Sequence, residues 1–409
     1  MFMDNSVGSY PWNRLDPEDI ERRKREAYRA VLRQKRRKKR LLKIRLMFAG
    51  LVLFVALIIT GIIFTIVKLV GMVMDNGAAQ KEKAFTSIEK PLELQIDDPE
   101  PEPESEPEQE TRIYSASEED IKGLGAEVIG QYGILVDTSE EAVLAGRGYR
   151  ARMNPASMTK VLTLLVAVEH IEKSELSSPF QMVFDITNYA FVHDCSTAGF
   201  LENETVTVED LLYGTILPSG GDAAVGLACY VAGSQEDFVV LMNRKLEELG
   251  LSETTHFTNC VGLFDEDHYS TCYDMAMIMW AAMDNELCRQ VLSTKKYTTS
   301  STPEHPEGIE LSNWFLRRIE DKEKGFTVLG GKTGFVNESG NCAVSLATDP
   351  SGREHICVIA GSSSAWRCIY DHVAVYSSLF DPDYVPMTSE EAEQGIEADK
   401  AEESAENTQ

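Results

Sequence analysis

The chain has 409 residues, 39 of them Lys or Arg and 66 Asp or Glu, for a formal net charge of −27. So acidic a chain argues against a nucleic-acid partner, whose phosphates require a basic footprint. The charge is also unevenly divided. Positions 1–45 hold 15 basic and 6 acidic side chains, whereas the rest of the chain holds 24 and 60, so the two parts are built for different surroundings.

Most of the positions from Arg33 to Arg45 are Lys or Arg, and the run that follows, Leu46 to Val67, contains no charge at all. At ~1.5 Å per residue that run crosses a hydrocarbon core of ~30 Å. The positive-inside preference places residues 1–45 in the cytoplasm and everything after the span outside. The run exceeds the ~7–15 apolar residues of a secretory signal and its basic flank is too long for one, so an uncleaved single-pass helix over 46–70 is expected. A nuclear or nucleic-acid signal is the weaker reading of a basic run that abuts a membrane span.

Residues 71–122 are expected to form an acidic stalk: Gln95 to Asp120 alone carries eleven acids and four prolines, a self-repelling composition with little to bury. Residues 385–409, with eight acids and one Lys from Ser389 onward, are expected to be a disordered tail. One compact domain, 123–384, lies between them. All eight cysteines fall in the exported part, where disulfides are permitted, although spacing alone assigns no pairing. There is no CxxC or HExxH pattern, so neither a metal site nor a cofactor is expected, and most of the cysteines suit small buried apolar roles.

The domain opens on a hairpin pattern, Tyr132 to Asp137 and Ala142 to Gly146, around Thr138-Ser139-Glu140. Ser157 to Ile171 places Val161, Leu162, Leu165 and Val168 on one helical face, and a second helix starts at Val208 behind Thr207, with Asp210 placed to complete a capping box. Near the end, Asn341 to Thr348 and His355 to Gly361 are β-rich runs joined by Asp349-Pro-Ser-Gly. Strands at both ends with helices between predict an α+β fold: an antiparallel sheet whose first and last segments meet, flanked by helices with a helical subdomain.

Three short motifs carry chemistry. Ser157 and Lys160 stand three apart at a helix start, so the Lys amine reaches the Ser hydroxyl and can take its proton once burial lowers its basicity. The Ser157 amide there also faces the negative charge that develops on a substrate oxygen. In Pro218-Ser219-Gly220-Gly221-Asp222, between two helices, Ser219 can project into a cleft and relay a proton; alone, the stretch reads equally as a turn with Asp222 capping the next helix. In Gly330-Gly331-Lys332-Thr333-Gly334-Phe335, an edge strand would let Lys332 and Thr333 bind a carboxylate. Gly334 would permit close backbone approach there, and the Phe335 amide would complete an oxyanion hole. A phosphate-binding loop fails here because the first Gly of that pattern is missing and no helix follows.

The ordered set Ser157-x-x-Lys160, then Ser219-Gly220-Gly221, then Lys332-Thr333-Gly334 is far more specific than its parts. With PASMTK, TVEDLLYGTILPSGGDAA, FVVLMNRKLEELGL, THFTNCVGL, HYSTCYDMAMI and GGKTGF, the text from about Tyr132 to Leu379 resembles the low-molecular-mass D-alanyl-D-alanine carboxypeptidases, peptidase family S11. The resemblance implies a penicillin-binding/β-lactamase-like fold and an acyl-enzyme that removes the terminal D-alanine of peptidoglycan stem peptides and is inhibited by β-lactams. In it Ser157 is the nucleophile, Lys160 the base and Ser219 the proton shuttle, while Lys332, Thr333, Gly334 and Phe335 bind substrate. Arg367 is implied near the substrate carboxylate. Two positions depart from the pattern. Gly221 stands where the family usually has Asn, removing an amide contact to substrate, and Val261 stands where many members have His. Slower deacylation or relaxed specificity is the expected consequence. The competing readings are an exported serine β-lactamase, disfavoured because no ExxLN-like segment is present, and an inert peptidoglycan-binding homologue, for which Gly221 is the only support.

Overall fold

The computed structural model describes residues 112–406. The basic arm, the expected membrane helix and most of the expected stalk lie outside the described residues. The central sheet has six strands: β1 (Lys122–Gly123), β2 (Tyr132–Asp137), β3 (Ala142–Arg147), β8 (Thr327–Val336), β9 (Gly340–Thr348) and β10 (Glu354–Ser362). Their order is β1-β3-β2-β10-β9-β8. The two expected hairpins are present, and the first and last segments meet as β2 against β10, with Tyr132 opposite Ala360 and Asp137 opposite His355. The sheet is mixed rather than antiparallel, because β1 pairs parallel with β3.

That strand starts at Lys122, the last residue of the expected stalk, and residues before it also pack on the domain. Tyr114 meets Trp280 edge-on at 5.5 Å and donates to Asp284 at 3.0 Å, the Ala116 amide donates to the Tyr273 hydroxyl, and Ser117 bridges to Ala142. A domain start at residue 123 is therefore too late. The acidic composition conceals Tyr114 and Ala116, whose partners sit far along the chain.

One face of the sheet is covered by helices α1 (Lys160–Glu169), α2 (Phe184–Val192), α3 (Val208–Ile216), α4 (Gly221–Ala232), α5 (Gln235–Glu248), α6 (Cys272–Asp284) and α7 (Glu286–Ser293). Two short hairpins accompany them, β4 (Pro179–Gln181) with β5 (Thr205–Thr207) and β6 (Lys296–Thr298) with β7 (Glu310–Ser312). In α1, Leu164, Val166 and Ala167 are buried along with Val161, Leu162 and Leu165. Its apolar surface therefore runs around the helix rather than along one face, as expected of a helix threaded through a core. The Thr207–Asp210 capping box forms at the start of α3, with bonds of 2.9 and 3.1 Å.

The opposite face is covered by α8 (Trp314–Ile319) and α9 (Ala365–Phe380), and α10 (Ser389–Glu406) packs against α9. Instead of a disordered tail, α10 packs on the domain. Ala392, Ile396, Asp399 and Glu403 recur at helical spacing; the first two are buried. Glu403 accepts from Arg317 at 2.6 Å, Arg318 at 3.1 Å and the Trp366 indole at 3.2 Å, and Asp399 pairs with Lys322 at 3.3 Å. Composition shows too few apolar residues for a docked helix because half of this contact stripe is carboxylate, satisfied by cations far upstream in the chain.

Candidate active site

Ser157 lies in a 3-10 turn, Ala156–Thr159, that leads directly into α1. The turn is held from two sides. Asn154 Oδ1 accepts the Ala156 amide at 2.9 Å while its Nδ2 donates to the His268 carbonyl at 2.9 Å. The backbone of Gly262 presses on the Ala156 carbonyl so closely that an added Cβ would fall 1.8 Å from that oxygen. Ala156 itself has φ +47°, a left-handed conformation that costs a non-glycine residue about 1–3 kcal/mol.

Lys160, the first residue of α1, is buried, with Nζ 3.1 Å from Ser157 Oγ and donating to the Val261 carbonyl at 2.7 Å. That carbonyl is aimed by Asn259, whose Oδ1 accepts the amides of Val261 at 3.2 Å, Gly262 at 2.8 Å and Leu263 at 3.0 Å. What position 261 supplies to the lysine is thus its backbone oxygen, whatever its side chain. Burial lowers the Lys160 amine to a pKa of about 8, partly opposed by the thiols of Cys195 and Cys260 and by Asp222. At neutral pH a substantial minority of the amine is uncharged and able to accept the Ser157 proton.

Ser219 sits in the loop between α3 and α4 with φ +62°, a second strained non-glycine backbone. The Lys332 ammonium donates to Ser219 Oγ at 2.8 Å and to the Thr333 carbonyl at 2.8 Å. Lys332 is buried on β8, at the edge of the sheet, so the expected edge strand is present. Its pKa is held well below the ordinary lysine value by burial and by repulsion from Lys160. Gly334 brings β8 against the nucleophile: an added Cβ would stand 3.0 Å from the Ser157 amide and 2.8 Å from Cys342 Sγ. Thr333 is half-buried and Phe335 exposes its ring beside them. Gly221 begins α4, its amide donating to the Ser196 carbonyl at 2.7 Å. Asp222 does not cap that helix; it accepts the amides of Ala198 at 2.8 Å and Gly199 at 3.2 Å and so fastens the 195–199 segment to the second motif.

Arg367 does not join this site. It lies at the start of α9 on the other face of the sheet, where its Nε donates to Asp371 at 3.1 Å and its guanidinium also reaches the Glu127 carbonyl. Asp371 in turn accepts from Ser362 at 2.6 Å and from the Gly130 amide at 3.0 Å. An arginine so engaged ties the strand ends to α9 and is unavailable to a substrate.

Three supporting residues have no motif of their own. Asn259 and Asn154 act as described, and His268 donates through Nε2 to Thr159 Oγ1 at 2.8 Å while Nδ1 accepts the Thr258 amide at 3.1 Å. Burial lowers its pKa to about 3, so it is a neutral brace. Their only sequence signal is position, within or near the stretches PASMTK, THFTNCVGL and HYSTCYDMAMI.

A serine against a buried lysine, a second serine against a second buried lysine, and a glycine-bearing edge strand at the nucleophile's amide define an active-site-serine enzyme of the Ser–Lys type, built for acyl transfer. The sequence profile of the D-alanyl-D-alanine carboxypeptidases, peptidase S11, matches residues 119–364. The chain belongs to that family. It is similar to the Bacillus subtilis D-alanyl-D-alanine carboxypeptidase DacF, 33% identical over 235 residues covering 56% of this chain and 57% of the relative. It is also similar to DacD of Escherichia coli, 32% identical over 245 residues covering 58% of this chain and 59% of that relative. A crystal structure of a Streptomyces DD-transpeptidase superposes with a TM-score of 0.56 at 27% identity, covering 62% of this chain and 98% of that one. The chain spans about three fifths of the length of these curated relatives.

Proposed function

We propose that the protein is a serine-type D-Ala-D-Ala carboxypeptidase acting on peptidoglycan stem peptides. The observation that carries this reading is the pair of contacts Lys160–Ser157 and Lys332–Ser219 within one buried cluster. Two ammonium groups so close are not comfortably charged together. A substrate's terminal carboxylate beside Lys332 holds the proton there and leaves Lys160 neutral. Ser157 Oγ then attacks the penultimate carbonyl, passing its proton to Lys160, while the Ser157 and Phe335 amides face the developing oxyanion. The peptide C–N bond breaks as the proton moves from Lys160 through Ser219 to the leaving amine, releasing D-alanine. Water, deprotonated by Lys160, hydrolyses the acyl ester and frees Ser157. A β-lactam presents a carboxylate and a strained amide to the same groups, and its tethered leaving group keeps the ester in place.

The enzyme works outside the cell, tethered by the Leu46–Val67 span with residues 1–45 in the cytoplasm. The charge asymmetry across that run and its length support this placement. Intact-mass analysis of wild type and Ser157→Ala after penicillin, with D-alanine release from a D-Ala-D-Ala pentapeptide, tests the activity. Adduct and release should both appear in wild type and both vanish in the variant; rapid β-lactam turnover without a stable adduct would instead mark a β-lactamase.

A further inference from the structure

The second motif has no side chain at its third position, yet the space beside it is filled. An ideal Cβ on Gly221 would fall 2.7 Å from Cys195 Cβ and 3.1 Å from Cys195 Sγ. Cys195 arrives from a different part of the chain, the turn after α2, where its amide donates to the Ala190 carbonyl at 2.9 Å. Its segment is fixed there by the Gly221–Ser196 and Asp222–Ala198 bonds. Cys195 is partly buried, whereas Cys260, the other thiol within electrostatic reach of Lys160, is fully buried.

We infer that Cys195 is a positioning residue of the acyl-transfer site: its side chain supplies the cleft wall that Gly221 lacks, beside the Lys160 amine. The two positions form a size-complementary pair, so a larger residue at 221 is tolerated only when 195 is smaller. The groups facing Lys160 are Cys195, Cys260, Asp222, Lys332 and His268. Of these side chains Cys195 alone is not fully buried, and burial raises its thiol so that it is uncharged at neutral pH; a charge placed there acts on the base without breaking an existing ion pair.

The inference rests on the acyl-enzyme reading and is tested on the full chain with fluorescent penicillin. Gly221→Asn should slow acylation about tenfold or more through its collision with Cys195, and Cys195→Gly added to it should recover the rate to within about threefold of wild type. Cys195→Asp should move the ascending limb of the acylation pH profile upward by about one unit, a shift that loss of packing alone does not produce, while Cys195→Ser leaves the limb in place. Equal impairment of Gly221→Asn with and without Cys195→Gly overturns the inference. So does an unmoved limb in a Cys195→Asp protein whose melting temperature matches wild type. If Cys195→Asp does not fold, the 195/221 cycle decides alone. A wild-type chain that takes up no penicillin overturns both this inference and the reading beneath it.

Discussion

The depressed basicity of Lys160 makes a quantitative demand on the pH dependence of acylation. With a pKa of about 8, the neutral fraction of the amine is about one tenth at pH 7, one half at pH 8 and nine tenths at pH 9. An ordinary lysine near 10.4 would be neutral in about 1 molecule in 2,500 at pH 7. Burial therefore supplies about 3 kcal/mol toward having the base ready. The second-order acylation rate at subsaturating penicillin, which reports the groups of the free enzyme and is measured by stopped-flow fluorescence, should climb about tenfold between pH 7 and pH 9 along a limb centred near 8. Subsaturation matters because a bound carboxylate beside Lys332 resets the proton balance of the two lysines and would mask the titration of Lys160. Lys160→Arg keeps the positive charge and cannot release it, so it should lose both the limb and nearly all acylation. A wild-type profile flat from pH 6 to 9, or a limb centred near 10, would refute the assignment of Lys160 as the base.

Gly262→Ala should all but abolish acylation and lower the melting temperature, since its Cβ would overlap the Ala156 carbonyl and the residue has φ +83°; penicillin labelling beside a thermal melt reads both. His372, buried on α9 with its pKa lowered to about 4 by desolvation, refuses a proton that an unfolded imidazole accepts. Its contribution is complete above about pH 6.5 and lost as pH falls toward 4, on the order of 3 kcal/mol in all. Urea titrations of His372→Leu should accordingly show a shallower loss of stability between pH 6.5 and 4 than wild type. Glu403→Ala removes the shared acceptor of Arg317, Arg318 and Trp366 and should destabilise the fold by about 1–2 kcal/mol by denaturant titration. Its acylation rate should stay within about twofold of wild type, because α10 lies across the sheet from the cleft.

The hairpins, the Thr207 capping box and the SxxK turn were legible because each is written in residues a few positions apart. The strand carrying Lys332 was legible too, since its glycines and the following β-rich runs mark an edge. What stayed hidden depends on partners brought in by the fold. Val261 reads as a departure at the level of its side chain, yet the structure uses its carbonyl, a group every residue has. Nothing in the text pairs Cys195 with Gly221, which stand on opposite sides of α3, or gives Glu403 its arginines. Arg367 was misplaced for the converse reason: an arginine near the end of the matching text carries no mark of which face of the sheet its helix covers, and Asp371 one turn on already holds it.

The left-handed backbones of Ala156 and Ser219 bear on how this protein could be improved. Each is a place where glycine would relax the chain and add stability, and each adjoins or is a residue whose oxygen must be held in one place. A screen that selects only for heat resistance would therefore be drawn to Ala156→Gly and would return proteins that survive longer and acylate more slowly. Durability in this molecule is better sought at α10 and the Arg112–Asp120 margin, where nothing reactive depends on the packing.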